Sequence, residues 1–153
     1  MKPETPPVGV PIVVGIIVDR GRVLIARRPA ATHRGGLWEF PGGKQATGES
    51  AAAGVVREIR EELGIEAAVE RKLAESTYAY PDRTLRLQFF QCRVVAGQPR
   101  ALGCDEWRWV TLAEIDQYVF PEANADMLAE LTRGRLRAVI ALPAGSRADG
   151  SEV

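Results

Sequence analysis

The stretch from Ser50 to Ile65, SAAAGVVREIREELGI, constrains the fold more than any other part of the chain. Ala52, Val55, Val56, Ile59 and Leu63 recur at i, i+3, i+4, i+7 and i+11, the apolar stripe of an amphipathic helix. Ser50 has the right side chain for an N-cap, and Gly64 stands where a left-handed stop belongs. Such a helix must lay its stripe on a neighbouring layer. Glu58, Glu61 and Glu62 then share the outer face, at i, i+3 and i+4. Like charges at that spacing repel by about 0.2–0.5 kcal/mol per pair. Either the face is solvated and balanced by Arg57 and Arg60, or something positive binds there. Mg²⁺ takes oxygen ligands, commonly one or two carboxylates together with water and phosphate. Just upstream, FPGGK (40–44) offers glycines that let the main chain approach a metal or phosphate, and Lys44 adds a point charge. The local pattern leaves both readings open.

The flanks predict an α/β (α+β) domain. PIVVGIIVDRGRVLIARR (11–28) is two β-branched runs around a turn, a hairpin. Residues 29–49 form a long Gly/Pro-punctuated loop, of the kind that is often functional, with LWEF as a short strand within it. EAAVERKLAESTYAY and TLRLQFFQCRVV, separated by the turn PDR (81–83), are two antiparallel strands, and WRWV is another. TLAEIDQY is a short helix with Thr111 as cap and Glu114 at the capping-box position. PEANADMLAELTR is a second helix, with Met127, Leu128 and Leu131 on its apolar face, and LRAVIAL could add a small element. The total is a mixed sheet of five or six strands with two or three helices, in one domain over 10–133. Residues 1–9, with three prolines, form a loose arm, and 134–153 a flexible tail.

Formal net charge is zero, which argues against a basic field for a nucleic-acid polymer and against a polybasic membrane patch. Three lysines stand against seventeen arginines, and arginine suits planar recognition of phosphate. Cys92 and Cys104 match no zinc spacing and read as two reduced thiols. With no long apolar run and no signal peptide, the expected place is the cytoplasm, and a monomer is the default.

Over a longer window the spacing becomes specific. From Gly43 the chain reads Gly, five residues, Glu49, seven residues, Arg57-Glu58-Ile59, one residue, Glu61-Glu62, one residue, Gly64-Ile65. This resembles the Nudix box without a departure. The resemblance implies the Nudix fold, a mixed sheet sandwiched between helices. It also implies metal-dependent hydrolysis of a nucleoside diphosphate linked to another group. Glu58, Glu61 and Glu62 would hold Mg²⁺ (Mn²⁺ could substitute), with the Gly42 carbonyl as a further ligand. Glu49 and Arg57 would orient the glutamates, and Glu58 would activate water.

Further segments resemble the MutT branch of that family, which removes oxidised guanine nucleotides: GIIVDRGRVLIARRPAATH, LWEFPGGK, YPDR (80–83) and FPEANADML (120–128). By this resemblance Arg28 contacts phosphate, as Lys44 can, and His33 sits at the sugar or phosphate end. The main chain from Glu39 through Phe40 and Pro41 to Gly42 lines the base and phosphate site. Arg83 lies near the base and Asn124 reads it. The substrate would be a small-molecule nucleoside triphosphate, cut to monophosphate and pyrophosphate.

Each residue has a plainer alternative, and for Asn124 it is a helix cap. Its amide offers an acceptor and a donor side by side. Guanine shows two acceptors, O6 and N7. In 8-oxoguanine N7 carries a hydrogen, so Asn complements the oxidised base and opposes the normal one. A buried mismatch of this kind discriminates by about 10⁴-fold. A pyrimidine nucleotide, a dinucleoside polyphosphate and a non-catalytic nucleotide-binding role stand as alternatives. One departure concerns the loop before the WRWV strand. Gly103 stands where many relatives carry a glutamate, and Asp105 and Glu106 follow closely.

Overall fold

A computed structural model describes residues 9–32, 34–134, 136 and 137. Seven strands and two α-helices follow in the order β1 (Val10–Asp19), β2 (Arg22–Arg27), β3 (Trp38–Glu39), β4 (Gly42–Lys44), α1 (Ala51–Leu63), β5 (Glu66–Ala79), β6 (Thr84–Ala96), β7 (Glu106–Thr111) and α2 (Ala125–Thr132). The arm and tail expected at the two ends, and most of LRAVIAL, fall almost wholly outside the described residues.

β1 organises the sheet because it is long enough to have several partners. It runs parallel to β6 from Val10 to Ile17, antiparallel to β4 through Ile12–Val14, and turns into β2 at Val18 and Asp19. β6 pairs with β5, and β2 carries β3 and β7 on its two edges. The sheet is therefore mixed, as expected. It has seven strands rather than five or six. The extra strand is GGK (42–44), whose glycines have no strand propensity of their own and which pairs only because β1 lies beside it.

The period-2 alternation of β1 sends side chains to two cores. Val13 and Ile17 join Leu24, Phe90 and Cys92 beneath Val55, Ile59 and Leu63 of α1. Val14 and Ile16 join Val23, Ile25 and Phe89 on the opposite face, with Met127 and Leu131 of α2. Ile59 is fully buried, which contributes about 1.5–3 kcal/mol. Gly15 lets α1 come down on the sheet: a Cβ there would lie 2.8 Å from Ile59 Cδ1.

Both ends of α1 follow the local sequence. The Ser50 hydroxyl accepts the Ala53 N–H at 3.1 Å, and Gly64 closes the helix at φ +71°. Two other expectations need correction. Thr111 and Glu114 form the reciprocal capping pair, Thr111 N–H to Glu114 Oε1 at 2.8 Å and Glu114 N–H to Thr111 Oγ1 at 3.2 Å. It opens only a 3₁₀ turn, Ile115–Gln117. Tyr118 is drawn into extended backbone, its ring 5.0 Å from Trp38, and Val119 O accepts the Trp38 N–H at 2.8 Å. Tertiary pairing thus wins over the local helix signal. The second helix likewise begins as a 3₁₀ turn, Glu122–Asn124, before α2. Among the described residues no helix is long and apolar enough to cross a membrane.

Candidate active site

α1 and β4 meet at the acidic face. The main chain of β4 lies so close to the helix that a Cβ on Gly43 would fall 2.4 Å from Glu58 Oε1. Glycine here makes a seat for a carboxylate that any side chain would fill.

Arg57 ties the region together. It donates to Glu49 through Nη2 at 2.7 Å and Nε at 3.0 Å, and to Glu58 Oε2 and Glu61 Oε1 through Nη1, both at 3.1 Å. Nη2 also reaches the Lys44 carbonyl at 3.1 Å. The Glu49 carboxylate further accepts the Ala46 N–H at 2.7 Å. These bonds, the one from Arg57 foremost, hold its pKa down to about 2 and push that of Arg57 up. Arg60 turns away to Glu66 at 2.6 Å and keeps only a weaker Coulombic pull on Glu61. Among the described residues no three acidic, His or Cys side chains converge on a ready-made metal position. The triplet is divided: Glu61 is largely exposed and joined to Arg57, whereas Glu62 points inward.

Glu62 is the group that asks for a cation. Its Oε1 is buried and has no hydrogen-bond partner among the described residues. Burial, reinforced by Glu39 and Glu58, lifts its pKa to about 9, opposed by the Gly42 amide and Arg28. Burial likewise raises Glu58, against the pull of Arg57, and raises Glu39, against that of Arg28. Glu39 had entered the sequence reading only through its main chain. Its side chain in fact lies beside Glu62 and accepts from Arg28 Nη1 at 2.8 Å. A buried oxygen without a donor, in a carboxylate that two neighbouring carboxylates push up, fits a hard divalent cation. A neutral or anionic group would leave the repulsion in place.

The loop that carries Gly103 caps α1. Leu102 and Gly103 donate to the Glu62 carbonyl at 3.1 and 3.0 Å, and Arg100 donates to the Leu63 carbonyl at 2.8 Å. A Cβ at 103 would lie 3.3 Å from Glu62 Cα. Glu106 is paired with Arg108 at 2.6 Å and Arg27 at 3.6 Å, and Asp105 is exposed. The further carboxylate beside Glu62 is Glu39.

Beside this face opens a cavity of about 260 Å³. Arg28, Glu39, Gly42, Gly43 and Lys44 line it, together with Phe40, Tyr80, Arg83, Pro121 and Asn124. Most of the expected substrate residues therefore line one cavity. Pro41 is buried and does not line it; its carbonyl accepts the Gly15 N–H at 2.8 Å and fixes the β4 approach. His33 falls outside the described residues. Asn124 is only 7% exposed and occupies the N-cap position of α2, yet its side chain makes no capping bond. Nδ2 makes one long contact to Pro121 O at 3.5 Å. The cap alternative therefore does not describe it.

Sequence reading missed Arg34 and Tyr80, which also line the cavity. The YPDR turn pointed to the place, but the tyrosine was not singled out. Cys92 and Cys104 are free and buried, and burial pushes their thiols up to about 12 and about 11.

Comparison with known proteins agrees with this geometry. A family model described as "NUDIX domain" matches residues 13–130. The 8-oxo-dGTP diphosphatase of Escherichia coli K12 is 35% identical over 123 residues, covering 80% of this chain and 95% of that protein. The CTP pyrophosphohydrolase of the same organism is 37% identical over 117 residues, covering 76% and 87%. The solution structure of the E. coli ORF135 protein superposes with a TM-score of 0.71 at 35% identity, covering 85% of this chain and 91% of that one. The chain belongs to the Nudix family and is a hydrolase acting on phosphoric anhydrides, related to 8-oxo-dGTP diphosphatases and CTP pyrophosphohydrolases.

Proposed function

We propose that this enzyme hydrolyses nucleoside triphosphates to monophosphate and pyrophosphate in the presence of Mg²⁺ or Mn²⁺, and that its preferred substrate is 8-oxo-dGTP. The observation that carries the reading is a pairing across one cavity. Glu39, neighbour of the buried Glu62, lines it, and so does a buried amide free of any capping duty.

Glu58, Glu61, Glu62 and the Gly42 carbonyl would hold the metal ions, with Glu39 alongside. Bound there, the ions neutralise phosphate charge and lower the pKa of water. Glu58, seated against Gly43, would take a proton from the attacking water. Arg57 limits where Glu58 and Glu61 can turn, and Glu49 anchors Arg57. Arg28 and Lys44 supply positive charge for the phosphates in the same cavity. The Asn124 amide can donate to O6 and accept from N7–H of the oxidised base. Phe40 lines the same cavity and packs against Phe120, their ring centres 5.1 Å apart.

The 37% identity to the CTP pyrophosphohydrolase supports a second reading, a cytidine nucleotide. One assay separates the two. The wild-type enzyme is offered 8-oxo-dGTP, dGTP, CTP, dCTP and a dinucleoside polyphosphate with Mg²⁺, and pyrophosphate is resolved from phosphate. We expect 8-oxo-dGTP to have the highest kcat/KM. A cytidine nucleotide outrunning it would overturn the substrate reading, and no hydrolysis of any would overturn the catalytic one.

A further inference from the structure

The cavity holds an arginine that neither the carboxylates nor the phosphate-side cations account for. Arg34 stands on the loop between β2 and β3, and main-chain bonds close that loop on itself. Gly36 N–H donates to Arg28 O at 3.0 Å, Arg28 N–H to Leu37 O at 2.8 Å, and Gly35 N–H to Thr32 O at 2.9 Å. Arg34 adopts left-handed backbone, φ +55°, which is uncommon for such a side chain. Its guanidinium carbon sits 3.6 Å from the centre of the Tyr80 ring, and Nη2 reaches Asp82 Oδ1 at 3.4 Å. The Tyr80 hydroxyl in turn accepts the N–H of Ala123, the neighbour of Asn124, at 2.8 Å. Three segments far apart in sequence thus fix one guanidinium on an aromatic platform at the base end. Nε of that group is buried with no hydrogen-bond partner among the described residues. A buried N–H left unpaired is costly, so its retention calls for a reason.

We propose that Arg34 donates a hydrogen bond to the C8 carbonyl oxygen of an oxidised purine, which makes it a specificity-determining residue. This inference rests on the 8-oxo-dGTP reading. The oxidised base presents acceptor O6, donor N7–H and acceptor O8 in a row. Asn124 answers the first two and has nothing left for the third. Arg34 and Arg83 are both further donors lining this cavity, and Arg34 is the one stacked on an aromatic platform, which the Tyr80–Ala123 bond links to Asn124. Guanine has a C–H at that position, so the undamaged base would leave the guanidinium unanswered. Arg28 is drawn to Glu39 at the other end, where the phosphates belong.

The test uses the full chain with Arg34→Met, which keeps an unbranched stem as far as the Nε position and removes the donors, and Arg34→Lys, which keeps a donor and the charge. Affinities for 8-oxo-dGMP and dGMP are measured by calorimetry, beside kcat/KM for the two triphosphates. Loss of one hydrogen bond of this kind is expected to weaken 8-oxo-dGMP about tenfold in Arg34→Met, with dGMP changed much less. Arg34→Lys should recover part of the difference. An equal loss for both nucleotides, or none, would overturn the inference and leave Arg34 as a latch on Tyr80, while the wild type still preferring 8-oxo-dGTP would keep the substrate reading intact. A wild type without that preference would overturn both.

Discussion

Replacing Glu62 by Gln removes a titrating group from a buried cluster and leaves its shape. At neutral pH the wild-type carboxylate is held protonated in the folded chain, because burial and the neighbouring Glu39 and Glu58 lift it to about 9 from an ordinary 4.5. The unfolded chain has already released that proton. Stability contributed by the protonated form is therefore complete below pH 4.5 and is lost as pH rises toward 9. Each pH unit in between costs about 1.4 kcal/mol. Between pH 6 and pH 8 the wild type should lose about 3 kcal/mol from this group, whereas Glu62→Gln, with nothing to titrate, should not. The assay is urea denaturation in chelator across that window, comparing slopes rather than absolute stabilities. Adding Mg²⁺ should stabilise the wild type and raise its melting temperature, more at pH 8 than at pH 6, because the ion competes with the proton for the same oxygen. Parallel profiles for wild type and variant, or no effect of millimolar Mg²⁺, would refute the reasoning that these carboxylates await a cation.

Three further outcomes follow from the same geometry. Asn124→Ala should narrow the kcat/KM ratio of 8-oxo-dGTP to dGTP by at least tenfold, read in a competition assay, since it deletes the amide that separates N7–H from N7; an unchanged ratio would remove Asn124 from the base site. Gly43→Ala should lower Mg²⁺ affinity, measured by calorimetry, with a smaller effect on melting temperature, because the new Cβ would displace the Glu58 carboxylate. The Glu49–Arg57 pair works in the opposite pH direction to Glu62. Its lowered carboxylate contributes stability above about pH 4.5 that is lost as pH falls toward 2, and Glu49→Gln should flatten that acid limb of the denaturation profile.

The parts legible in the sequence were those set by neighbours along the chain. Ser50, the stripe through Ile59 and Gly64 specify α1 by local capping and period, so the helix and its acidic face could be read directly. The hairpin at Arg20–Gly21 and the β5–β6 pair follow from alternation and turn residues. What escaped depended on partners distant in sequence. β4 is a strand only against β1, and the helix expected after Thr111 yields to Trp38 and Val119. The division of the triplet was equally hidden, because helical spacing places three glutamates on one face but cannot say that Arg57 holds Glu58 and Glu61 while Glu62 meets Glu39. Arg34 carries no local signal at all; its meaning comes from Tyr80.

The most direct measurement follows the products of 8-oxo-dGTP with Mg²⁺, for the wild type and for Glu62→Gln shown to be folded by circular dichroism. The wild type should release pyrophosphate and 8-oxo-dGMP with no inorganic phosphate, and the variant should release essentially nothing. Release of inorganic phosphate by the wild type, or near-normal kcat in the variant, would contradict the assignment of this carboxylate cluster as the catalytic centre.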